Sequence, residues 1–341
     1  MKQSFSASVM LAVTMLAGCA KSEADKAAAP ATPVYQVVDR IKGADGKYDY
    51  ASVDSAANRL FVGRGYGVMT VDLATNEMRT LIERDNVAAV LLIPGTNLLL
   101  STNAETNNAT LLDRTTGAVQ ADIPTGRDPD GALFDAQSGL AFVMNGDSED
   151  ITLIDIATAT AVATIPAGGK PEAATSNGKG RAFVNIEDAN AIAVIDIAAR
   201  KVATRYPLAG CNEPTGIAYD AATNLLISVC HNNIARLVDA DTGADRGSFA
   251  VGAGADGVLF DADKRIGFVP CIDGTLTVFA LDAKGKATVL QTIKTADGAR
   301  TAAYDAKTGR LYLPAATVER DDKGEYLTAA RDFSIVVVAP R

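Results

Sequence analysis

Along most of the chain, short apolar runs of four to six residues alternate with polar punctuation. Between Gly131 and Gly168 the runs are Ala132-Leu133-Phe134, Leu140-Ala141-Phe142-Val143, Ile151-Thr152-Leu153-Ile154 and Ala161-Val162-Ala163-Thr164-Ile165, separated by Gly, Asn, Asp and Ser. Runs this short, rich in β-branched and aromatic residues and closed by turn formers, predict strands rather than helices. The block then repeats. An apolar strand ending in Asp occurs at Val71-Asp72, Leu112-Asp113, Ile154-Asp155, Ile195-Asp196 and Val238-Asp239, at intervals of 41, 42, 41 and 43 residues, and Phe279-Ala280 follows 41 residues later without the Asp. A second marker, Pro129-Asp130-Gly131, Pro171-Glu172-Ala173, Pro214-Thr215-Gly216 and Ala255-Asp256-Gly257, keeps step with it. Four antiparallel strands every 40-odd residues is the pattern of a β-propeller blade.

Unit starts fall near Tyr48, Asn86, Pro129, Pro171, Pro214, Ala255 and Ala299, which predicts an all-β, seven-bladed propeller over residues 34–341. The second unit is the most divergent, with Ile93-Pro94-Gly95 at a turn that elsewhere centres on Asp. The last unit has only three strands, ending at Ser334–Val338. Val34–Ile41 can supply the fourth, closing the ring and removing exposed sheet edges. The second strands Leu60-Phe61-Val62-Gly63, Ala141-Phe142-Val143-Met144-Asn145, Ala182-Phe183-Val184-Asn185 and Leu311-Tyr312-Leu313-Pro314, with Ile154-Asp155-Ile156-Ala157-Thr158, resemble the YVTN-repeat (YncE-like) bacterial propellers, although no unit carries an intact Tyr-Val-Thr-Asn. That resemblance covers the chain from residue 34 onward. It implies the fold and leaves the activity open, because fold does not fix function.

The N-terminus is different in kind. Lys2 precedes an apolar run from Val9 to Ala17, too short to span a ~30 Å hydrocarbon core, and the run ends in Leu16-Ala17-Gly18-Cys19. This resembles a bacterial lipobox, and implies a signal peptide over residues 1–18, lipidation of Cys19 and a membrane anchor through that lipid alone. Ala20 in place of Asp implies, in a Gram-negative cell, the outer membrane facing the periplasm. Residues 19–33 are mostly Ala, Pro, Lys, Glu and Asp with little to bury, as expected of a lipidated flexible tether.

Composition narrows the chemistry. The net charge of −9 argues against nucleic-acid partners. Trp is absent and His occurs once, at His231, which excludes His-rich metal sites and the Trp docking motifs by which quinone-dependent propellers resemble one another. No nucleophile elbow, phosphate loop, haem-attachment or dinucleotide fingerprint is present. Gly63-Arg64-Gly65-Tyr66-Gly67 lacks the strand–loop–helix context of a phosphate cradle and is expected to be a mobile loop.

Aligning the units on their first strands puts Asp49, Asp130, Glu172, Thr215, Asp256 and Arg300 at one repeated position, with Ala88 or Ala89 in the second unit. Four carboxylates and one Arg around a common axis would concentrate negative potential. They are candidates for a cation or cationic ligand, Ca²⁺ among them, or for capping the turn that leads into the strand. The Asp that closes each third strand reads as a hairpin cap. Beyond Cys19, the cysteines are Cys211, Cys230 and Cys271, all expected on one face with His231. In an oxidising compartment they predict one disulfide and one leftover thiol, or else a Cys/His site for copper or zinc, or inert buried thiols. The leading expectation is an envelope-anchored binding or scaffold protein presenting one face to a protein, peptide or small ligand. The alternatives are a metal-assisted hydrolase or lyase at the acidic mouth, and a periplasmic metal or redox protein using the cysteines.

Overall fold

The 40-residue repeat folds into seven sheets of four antiparallel strands each. A computed structural model describes Met1 and residues 33–320 and 326–341, without the side chains of 318–320 and 326–330. Val34–Arg341 is one compact unit. The expected signal peptide beyond Met1, Cys19, and all of the expected tether but Pro33 lie outside the described residues. Among the described residues there is no helix, and none long and apolar enough to cross a membrane.

The third blade shows how the pattern becomes structure. Its strands are Pro129–Asp135, Leu140–Asn145, Asp150–Asp155 and Thr160–Pro166, paired in sequence order. Side chains on a strand alternate between faces, and here both faces of the second strand are buried. Leu140, Phe142 and Met144 pack against Ala182, Val184 and Ile186 of the fourth blade. Ala141 and Val143 pack against Leu100, Ala109 and Leu111 of the second. The same division holds around the ring, giving seven apolar clusters, each shared by two neighbouring blades. That two-sided burial is why the middle strands read as continuous apolar runs. The outermost strands, such as Thr160–Pro166, are largely exposed and mixed in polarity.

The strand-end Asp residues cap their hairpins. Asp113 Oδ1 accepts from the Thr115 and Thr116 amides at 2.9 and 2.7 Å, and Asp72, Asp155, Asp196 and Asp239 accept in the same way. Their side chains therefore serve turn geometry.

The ring closes through the N-terminal strand. Tyr35–Lys42 pairs antiparallel with Tyr326–Pro340, from Tyr35 opposite Pro340 to Lys42 opposite Ser334. Gln291 of the sixth blade fixes its start, donating to the Tyr35 carbonyl at 2.7 Å and accepting from the Tyr35 amide at 3.0 Å. The link onward to the first blade is held by Arg64, which has no exposed surface. Its guanidinium donates to the carbonyls of Ala44 (2.7 Å) and Lys47 (2.9 Å) and lies 3.7 Å from the centre of the Phe333 ring.

The Gly63–Gly67 segment is accordingly packed, which corrects the expectation of a mobile loop. A Cβ on Gly63 would sit 2.2 Å from the Ala88 carbonyl oxygen, so the neighbouring blade approaches the bare backbone.

Candidate functional site: an acidic mouth on the ring axis

First strands of successive blades lie side by side around the axis. In five blades the residue before the candidate position pairs with the last residue of the second strand: Tyr48 with Arg64, Val87 with Asn103, Pro129 with Asn145, Pro171 with Ile186 and Pro214 with Cys230. An isolated bridge between Ala255 and Cys271 places Asp256 equivalently in the sixth. The register therefore assigns Ala88 to the second blade. In each of the five the register shifts just after that pair, so the next residue lies in an irregular, bulge-like stretch. Such irregularities re-aim side chains beside functional sites.

Asp49, Asp130, Glu172, Thr215, Asp256 and Arg300 line a single cavity of about 480 Å³, together with Tyr50, Lys170, Glu187, Gly254, His231 and Ile272. All six aligned positions thus meet. The last two reach the cavity differently from the expectation: the first strands of their blades shrink to Leu259–Asp261 and Ala303–Asp305, so Asp256 and Arg300 stand on the loops before them. Below the mouth the axis narrows to a smaller, largely apolar space lined by Ala51, Ala89, Ala132, Ala174 and Met144, with Tyr50 lining both.

Charges in the mouth are unevenly paired. Arg300 Nη2 lies 3.4 Å from Asp49 Oδ2 and its Nε 3.2 Å from Asp256 Oδ2. Those carboxylates, Asp49 first, push the guanidinium pKa up. Asp130 and Glu172 take part in no ion pair among the described residues. Burial raises both carboxyls well above the usual range, and the neighbouring carboxylates, Asp49 and Asp256 for Asp130 and Asp130 for Glu172, raise them further. Burial also raises Asp49, to about 6, against the pull of Arg300. Tyr50 is raised by burial and by the same acidic ring. Thr215 is tied into the scaffold, its hydroxyl donating to the Ala255 carbonyl at 2.8 Å. The capping role weighed for the carboxylates is not what these side chains do: no amide hydrogen bond to Asp130 or Glu172 is formed among the described residues, in contrast to Asp72 or Asp113.

Cys211 and Cys230 form a disulfide with a Cα separation of 5.6 Å. Cys271 is a buried free thiol in the cluster between the fifth and sixth blades, its pKa pushed up to about 12 by burial. The copper or zinc set of Cys211, Cys230, His231 and Cys271 is therefore not assembled, because two of its three sulfurs are bonded to each other. His231 turns instead to Glu213, with Nδ1 2.8 Å from Oε2.

Sequence reasoning missed Tyr50, Lys170 and Glu187. Glu187, His231 and Ile272 each follow the last residue of a second strand, a second repeated position that the alignment could have exposed. Lys170 stands directly before the Pro171 marker. For Tyr50 no sequence signal exists, since it depends on the irregular register after Tyr48.

No known family's sequence profile matches the chain, and no curated protein matches it. Among solved structures it is similar to a chain of the hydrazine synthase of Kuenenia stuttgartiensis (14% identity, TM-score 0.71, covering 80% of this chain and 93% of that one). It is likewise similar to a chain of a mitotic checkpoint complex (13% identity, TM-score 0.75, covering 97% and 98%). At such identities the likeness speaks to the fold alone, and it agrees with the seven four-stranded blades: this is a seven-bladed β-propeller.

Proposed function

We propose that the protein is a binding propeller of the cell envelope that takes the cationic group of a small ligand or peptide, an amine or guanidinium, into its acidic mouth. The observation that carries this reading is the pair Asp130 and Glu172: two carboxyls in no ion pair among the described residues, raised by burial and by neighbouring carboxylates more than Arg300 and Lys170 lower them, in a cavity sized for a small molecule. Burying like charges together is costly unless something offsets it, and an entering cation does so. Perturbed carboxyls in a cleft mark functional sites for that reason. Arg300 leaves this pair open by engaging Asp49 and Asp256 instead. The same hard oxygens suit Ca²⁺, which the test includes as an alternative occupant. The lipobox at Leu16–Cys19 supports lipid anchoring facing the periplasm, and the repeat pattern supports a place among the YncE-like propellers.

The test is calorimetric titration with arginine amide and, separately, with Ca²⁺. Saturable binding of arginine amide by the wild type, lost in Asp130→Asn with Glu172→Gln while the fold persists, is the expected result. Saturable Ca²⁺ binding without arginine amide binding would replace the organic cation by the metal. No binding of either, or binding indifferent to the double substitution, would refute the mouth as the binding site.

A further inference from the structure

We propose that Glu187, Glu213 and His231, at the rim of the mouth between the fourth and fifth blades, form a site for a divalent transition metal such as Zn²⁺, distinct from the carboxylate pair deeper in. Their donor atoms lie within 4.8 Å of one another. A tetrahedral zinc site with bonds of roughly 2.0–2.2 Å needs donors about 3.4 Å apart. His231 Nδ1 and Glu213 Oε2 share a hydrogen bond at 2.8 Å, so they need only part slightly to reach that spacing. Glu213 is the most exposed of the three, which leaves its side chain room to adjust. An imidazole with two carboxylates is a donor set that suits zinc, copper or nickel, whereas carboxylates alone would favour calcium or magnesium.

The backbone holds the three donors independently of their side chains. The Cys211–Cys230 disulfide joins the segment two residues before Glu213 to the residue before His231. The His231 amide donates to the Asn212 carbonyl at 3.0 Å, and the Asn212 amide donates to Asn232 Oδ1 at 2.9 Å. The Glu213 amide donates to Asn190 Oδ1 at 2.8 Å, and the Asn190 amide donates to the Glu187 carbonyl at 3.3 Å. Three chain segments are thus fixed to one another at the point where the donors converge. The disulfide is then a clamp for a mixed nitrogen and oxygen site rather than a competitor for thiolate ligands.

The structure also shows a positive charge held at this point. The Lys170 ammonium lies 2.5 Å from Glu187 Oε2. Burial alone would lower its pKa, but Glu187 and then Glu172 outweigh burial and raise it to about 12. A metal and the Lys170 ammonium are alternatives at Glu187, so the lysine tunes affinity by competition.

Titration of the full-length protein in detergent with ZnCl₂ tests this. Near-stoichiometric binding is expected, weakened at least about tenfold by His231→Gln or Glu213→Gln, since each removes a bond to the metal. Lys170→Met should strengthen it, and Asp130→Asn with Glu172→Gln should leave it in place, which separates this site from the mouth. With Cu²⁺ as the probe, electron paramagnetic resonance should show coupling to one imidazole nitrogen, absent in His231→Gln. Absence of Zn²⁺ binding, affinity unchanged by His231→Gln, or a copper signal without nitrogen coupling would overturn the proposal.

Discussion

Asp130 and Asp113 are the same residue type in opposite circumstances. Asp113 accepts two backbone amides in an exposed turn, and those bonds hold its carboxyl below the usual range. Asp130 receives no such bonds and faces other carboxylates, so burial and repulsion raise it. The consequences for stability have opposite signs. A depressed carboxyl contributes stability that is lost as pH falls through its folded pKa. A raised one binds its proton more tightly when folded, so its contribution is most favourable below the unfolded value near pH 4 and declines as pH rises through the folded pKa. For the mouth that decline runs from about pH 4 through Asp49 at about 6 and onward to the more strongly raised Asp130 and Glu172. We expect the melting temperature of the ligand-free protein to fall between pH 5 and pH 8, and Asp130→Asn with Glu172→Gln to flatten that slope and raise the melting temperature at neutral pH. A wild-type melting temperature that rises steadily across the same range would contradict this account. At this scale the six aligned positions were legible because the repeat transfers a position from blade to blade. Tyr50 was not, because register irregularities leave no composition signature, and the Glu213–His231 contact was not, because it depends on the Pro214–Cys230 register within one hairpin.

Strands were legible where both faces are buried, since Leu140–Asn145 and its counterparts cannot be polar without breaking two interblade clusters. Where blade six and blade seven begin, the sequence pattern of a full first strand holds but only three residues pair, and the lining is made by loops. Gly63–Gly67 was misread for a related reason: glycine density signals freedom in an isolated peptide, yet here it permits contact with the Ala88 carbonyl. The closing strand carries the ring. Tyr35 is 1% exposed and packs in the cluster shared by the sixth and seventh blades, and Ile41 in the one shared by the seventh and first. Deleting residues 34–41 would uncover both clusters and the edge of Tyr326–Pro340. It should therefore lower the unfolding midpoint of the whole unit in one transition, read by circular dichroism in urea. An unchanged midpoint would show that the seventh blade is stable with three strands.

A ring with an acidic opening concentrates potential where its blades converge. Cys19→Ser should release the protein from membranes to the soluble fraction, as read by fractionation after a high-salt wash; retention would refute the lipid anchor. The central claim, that Asp130 and Glu172 are a raised acidic pair, outside any ion pair among the described residues, that takes a cation, is tested most directly by carbon-13 carboxyl NMR titration with and without arginine amide. It predicts that these two carboxyls titrate well above ordinary Asp and Glu in the free protein and move down when the cation binds. Ordinary titration of both in the free protein, or values that do not move with saturating arginine amide, would contradict it.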